Sequence, residues 1–200
     1  MRFTSLAKLS LLTIIPLMFV MVGRAQEQDV RERFLSSKGN LKVSKLFSEA
    51  PVLPIDDRAA EIYRLTIIPA FYNPIKIRLE KHDANYILVA KRLSGQGDFD
   101  AGTLKAEKRR RLKPAEWEHL TQMLRDVSFW ELPYLEKKPE PKPNDKAETI
   151  CLHGSEWVLE GVKNGNFHAV NRYCEETEGL HAIALYLVKL SRLGLRDYQL

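Results

Sequence analysis

Glu160 and His168 flank Lys163-Asn164-Gly165, a turn sequence set between two segments of strand character. If a hairpin brings them face to face, the carboxylate orients the imidazole as a general base or, with a third ligand, builds a zinc site. His153 and Arg172 lie nearby in sequence. Two registers are open. A three-residue loop closing on Gly165 pairs Val162 with Asn166, Glu160 with His168, Val158 with Val170 and Glu156 with Arg172; the two-residue Asn164-Gly165 turn sets Trp157 against Arg172. The first is expected. It gathers Trp157, Leu159, Phe167, Ala169 and Tyr173 on one face, and burial of a coherent face outweighs cross-strand pairs of about 0.2–1 kcal/mol each. Glu160 and His168 are thus the candidate catalytic residues. The chain lacks His-Glu-x-x-His and Gly-x-Ser-x-Gly, and an opposed Glu and His on an exposed sheet face is the commoner surface pair, so no metal or cofactor is expected.

Lys105, Lys108, Arg109, Arg110, Arg111 and Lys113 form a dense basic run interrupted by Glu107. Such a run docks an anionic headgroup, a cell-wall polymer or an acidic protein; on a strand it equally serves as charge that keeps an edge from aggregating. Alternation places Arg109 and Arg111 on one face and Lys108 and Arg110 on the other. Asp98 and Asp100 alternate as in a calcium loop but lack the later ligands, which favours a plain turn. Phe71-Tyr72 and Phe129-Trp130 either line a groove or close a core beside a helix end.

The elements that must position these groups follow an N-terminal address. Arg2 and Lys8 precede the uncharged, largely apolar stretch 9–22, and Gly23 and Ala25 flank Arg24, the layout of a secretory signal peptide cleaved before Gln26. The stretch is short for a bilayer span; the rival reading keeps it as an uncleaved anchor. Cleavage lowers the basic count from 31 to 28 against 26 acidic residues, a net +2 that gives no general reason for a polyanionic partner, and export excludes nucleic acid. Membrane contact is then limited to the transient signal segment. Export also makes Cys151 and Cys174, the only thiols, candidates for a disulfide. In a simple meander over 149–173 a third strand separates them, so they pair only if the first strand lies elsewhere.

Residues 26–60 read as a loosely structured leader, and 61–194 as a single domain. Strands are predicted over Ile62–Pro69, Ile75–Lys81, Tyr86–Leu93 and Thr103–Leu112, joined by short turns in a meander. Pro114 opens a helix whose apolar stripe is Trp117, Leu120, Leu124 and Val127. A Pro/Lys/Glu-rich loop at 136–148 leads to strands at Thr149–Leu152, Glu156–Val162 and Phe167–Tyr173, then to a helix over Thr177–Leu193 that is apolar on most of its circumference and expected to be buried on two sides. Residues 195–200 are a tail. The fold class is α+β: an antiparallel sheet of about seven strands in the order four strands, helix, three strands, helix, with both helices on one face.

The strings GSEWVLEGVKNGNFHAVNRY, RRRLKPAEW and FWELP resemble a family of uncharacterised bacterial exported proteins that share a Pro-Ala-Glu-Trp helix start, a Phe-Trp-x-Leu-Pro segment and a Trp-x-Leu-Glu-Gly hairpin. The resemblance covers about residues 61–193 and implies an architecture but no activity. Cys174 and the Pro-Lys linker depart from the pattern. The expected function is non-enzymatic binding or interaction in the envelope, through the sheet face opposite the helices or through Lys108–Arg111, with an unknown protein or envelope component as partner. The alternatives are a hydrolase around Glu160 and His168, or a secreted inhibitor presenting the 95–102 loop.

Overall fold

All nine residues of β1 (Glu61–Pro69) are buried, although Arg64 and Thr66 interrupt its apolar run. A strand is covered so completely only in the middle of a sheet with material on both faces. That is its position. In the computed structural model, which describes residues 31–32, 45, 47–50, 53, 61–97, 100–135, 154–173 and 179–194, β1 pairs with β2 (Ile75–His82) on one side and with β5 (Ser155–Lys163) on the other. β3 (Asn85–Leu93), β4 (Leu104–Arg111) and β6 (Asn166–Tyr173) complete the order β4-β3-β2-β1-β5-β6, with every ladder antiparallel.

The described residues therefore form an α+β fold with one antiparallel sheet of six strands and two helices. The four-strand meander is as expected. The seventh strand expected at 149–152, both cysteines, His153, the 136–148 loop and the signal segment lie outside the described residues. Among the described residues no helix is long and apolar enough to cross a membrane.

α1 (Pro114–Asp126) starts on proline at its first position, where the missing N–H costs nothing, and Glu116 reaches back to accept the Lys113 N–H at 2.8 Å. Trp117, Leu120 and Leu124 face the sheet. Trp117 wedges between Tyr63 and Tyr86, with ring centroids 5.8 and 5.4 Å away. A single 3-10 turn, Phe129–Glu131, then drops Phe129 into the same core. α2 (Leu180–Ser191) lies on that face too and buries Leu180, Ile183, Ala184, Leu187 and Leu190. It is covered along one broad side only, with Leu185 45% exposed, so the expectation of burial on two sides does not hold.

The opposite face is covered as well. Phe47 and Leu53, inside the stretch read as a leader, are both 0% exposed. Leu53 packs with Ile62, Val158, Val162, Phe167 and Tyr134, and Phe47 packs with Ile68, Leu93 and Ala101. Much of the surface proposed above for binding is thus interior.

The hairpin register corrects the expectation. Asn164 and Gly165 both have positive φ (51° and 76°), the signature of a two-residue type I′ turn, and the ladder pairs Lys163 with Asn166, Val162 with Phe167, Gly161 with His168 and Trp157 with Arg172. The preference for one apolar face assumed a hairpin open to water on its other side. With both faces covered, the mixed faces are each completed by other elements, and β1 supplies the deciding partners.

Candidate functional site

In the observed register Glu160 stands opposite Ala169, and His168 opposite Gly161. Successive residues of a strand point to opposite faces, so the sheet itself separates the carboxylate from the imidazole. The expected Glu160–His168 pair does not form. Glu160 instead faces Arg64 across the β1–β5 ladder and is fully buried with it. The arginine Nε donates to Oε2 at 2.6 Å and Nη2 to Oε1 at 2.7 Å, a forked contact; Oε1 also accepts the Leu53 N–H at 3.1 Å. Arg64 Nη1 donates to the Ala50 carbonyl at 2.8 Å. Both groups are occupied in fastening Ala50 and Leu53 to the sheet.

Three further cations share that face. Lys91 donates to the Phe47 carbonyl at 2.9 Å and lies 3.1 Å from Glu49, which also sits 3.9 Å from Arg78. Lys76 is 2% exposed, its ammonium 5.0 Å above the Phe47 ring. Burial lowers its pKa to about 8; Arg64 pushes the same way, and Glu49 and Glu160 oppose. The sequence clue to this network is Arg64 itself, a charge within the apolar run EIYRLTIIP.

His168 points to the helix side and is 8% exposed. Its ring meets Phe129 edge-on at 5.0 Å and Trp130 at 5.8 Å, and Nε2 is buried without a hydrogen-bond partner among the described residues. Burial lowers its pKa, while the carbonyls of Phe129 and Leu132 act in the other direction, so the imidazole is a neutral core side chain at pH 7. Gly161 is small because Phe129 occupies the space beside it: an added Cβ would lie 2.9 Å from that ring. Among the described residues no three His, Cys, Asp or Glu side chains are grouped to hold a metal.

The basic run lies on β4, an edge strand. Lys108 and Arg110 turn to the helix side, where Lys108 donates to the Arg192 carbonyl and Arg110 to the Leu190 carbonyl at 3.0 Å. They thereby satisfy the open C-terminal carbonyls of α2. Arg110 also forks onto Glu116 at 3.0 and 3.1 Å, which holds that carboxyl below its usual pKa. Arg109 and Arg111 share the other face, are exposed, and have no ion-pair partner among the described residues. One sequence motif thus separates into a helix-capping pair and a solvent-facing pair.

Of the 95–102 loop, Asp98 and Phe99 lie outside the described residues. Asp100 accepts the Gly102 N–H at 2.9 Å, and Gln96 and Asp100 form a bridge, which together make a tight turn. Phe71 and Tyr72 are about half exposed, whereas Phe129 is fully buried.

A cleft of about 230 Å³, not anticipated from the sequence, opens where α1, the 3-10 turn and the hairpin tip meet. Tyr63, Leu124 and Trp130 line it along with Thr121, Arg125, Lys163, Asn164 and Asn166. These positions are scattered over 104 residues of chain, from 63 to 166, so no local pattern announces them. No family model matches this chain, and no curated protein matches it.

Proposed function

We propose that this is an exported, non-enzymatic binding protein of the bacterial envelope that docks an acidic partner along the β4 edge. The signal-like N-terminus and the resemblance to exported proteins support the address. In this reading the mature chain starts at Gln26, and 149–152 adds the seventh strand. The observation that carries the binding role is the division of labour on β4: Lys108 and Arg110 are committed to α2 and Glu116, while Arg109 and Arg111 project together from an unpaired edge. A run of negative charge complements that pair, and the attraction is screened by salt.

Binding to immobilised poly-L-glutamate tests the docking. Wild type should be retained at low ionic strength and released as salt rises, and Arg109→Glu/Arg111→Glu should weaken retention at least tenfold. Lys189→Glu, a reversal at an exposed position of α2, should change it little. Equal losses in both variants, or none in the double variant, would reject the β4 edge as the surface. Fractionation of the producing cell tests export separately, since a chain still beginning at Met1 in the cytosol is incompatible with it.

A further inference from the structure

We infer that the cleft bounded by α1, the 3-10 turn and the hairpin tip binds a monosaccharide-sized carboxylate, with Arg125 as the anion-binding group and Trp130 as the ring platform. This site is distinct from the β4 edge and does not depend on it. Size sets the first limit. A volume of about 230 Å³ is below the roughly 300–1,000 Å³ of drug-sized sites and corresponds to about eight waters of about 30 Å³ each, room for one sugar ring or an amino-acid-sized compound.

Charge sets the second. Lys163 is held by Glu61 at 2.5 Å, so that pair is close to neutral. Among the described residues the Arg125 side chain donates once, from Nη2 to the Gln122 side chain at 2.6 Å, which leaves its other N–H groups for solvent or a ligand. A guanidinium fork matches a carboxylate in two parallel hydrogen bonds. Among the described residues the rim therefore carries one cation without an ion-pair partner, suited to one acidic group.

The remaining lining is typical of sugar recognition by its chemistry. Asn164 and Asn166 offer two amides able to donate and accept with ring hydroxyls, and Thr121, whose hydroxyl donates to the Glu118 carbonyl at 3.0 Å, offers an acceptor. Trp130 is half-buried, packed edge-on against Phe129 at 5.3 Å and tilted against the His168 ring at 5.8 Å. The indole is thus fixed before a ligand arrives, which reduces the entropy lost on binding. Asn164 is held at φ 51° by the type I′ turn, so its amide is presented on rigid backbone.

Titration of the full chain with D-glucuronate, followed by nitrogen–proton NMR, tests this. Glucuronate should saturably shift the Trp130 indole N–H and the Asn164 and Asn166 side-chain amides. D-glucose should bind at least tenfold more weakly. Arg125→Gln should reduce glucuronate affinity at least tenfold with an unchanged circular dichroism spectrum, because Arg125 is exposed and supports no core contact. The inference is overturned if these signals do not move, if glucose binds as well as glucuronate, or if Arg125→Gln binds like wild type. A poly-L-glutamate result leaves it untouched, so failure here and failure of the β4 reading are separable.

Discussion

Replacing Lys76 with methionine removes a buried charge while keeping most of the side-chain volume, and its effect should depend on pH in a way that can be worked out. In the folded chain the Lys76 ammonium is 2% exposed and titrates at about 8, against 10.5 for an ordinary lysine. Between those values the unfolded chain binds more protons than the folded one, so stability rises with pH. The group is neutral in the folded protein above pH 8, and its penalty then fades as the unfolded lysine also deprotonates. From pH 7 to pH 9.5 the gain is about 2 kcal/mol. Other charged groups surround the same ammonium, including Arg64, Glu49, Glu160 and Lys91, so the useful quantity is the wild-type value minus that of Lys76→Met. With a urea m-value of about 2 kcal/mol/M, the gap between the two midpoints should change by about 1 M over this range. Equilibrium urea unfolding followed by tryptophan fluorescence at pH 7.0, 8.25 and 9.5 measures it. A gap that stays constant within about 0.5 kcal/mol would show that Lys76 titrates normally and that Phe47 and its neighbours do not seal the sheet face as described.

Two other outcomes follow from the opposed faces of the hairpin. Glu160→Ala should cost about 3–5 kcal/mol, because it leaves the Arg64 guanidinium buried without its carboxylate, and it should loosen Leu53, readable as faster exchange of its amide; a loss below about 1 kcal/mol would contradict the buried pair. His168 has its folded pKa lowered from 6.5, so the unfolded state takes up the proton first, and stability should fall as pH drops below 6.5. Thermal melts at pH 7.5 and 5.5 should show His168→Phe losing less stability on acidification than wild type, and identical losses would place the imidazole in water.

Much of the fold is written locally. Alternation and turn residues located the six described strands to within two residues at each end, and Pro114 with the stripe Trp117, Leu120 and Leu124 marked α1. Period and turn chemistry act over a few neighbouring residues, so one segment suffices to read them. The pairing of Arg109 with Arg111 and of Lys108 with Arg110 was equally legible, since alternation on a strand requires it.

What the hairpin faces was decided elsewhere. Judged alone, β5 and β6 favour the register that gathers one apolar face; in the folded chain Leu53 and Tyr134 cover the second face, and Arg64 draws Glu160 to it. The candidate dyad disappears for that reason. The cleft likewise needs β1, α1, the 3-10 turn and the hairpin tip in their final places before Trp130 and Arg125 flank one space. For the described elements the sequence by itself determined element type and which residues of a strand share a side, because these depend on bonded neighbours. Only the tertiary structure decided which sides are dry, which charges neutralise each other and where a pocket remains, because those depend on contacts between segments whose separation in the chain carries no signal.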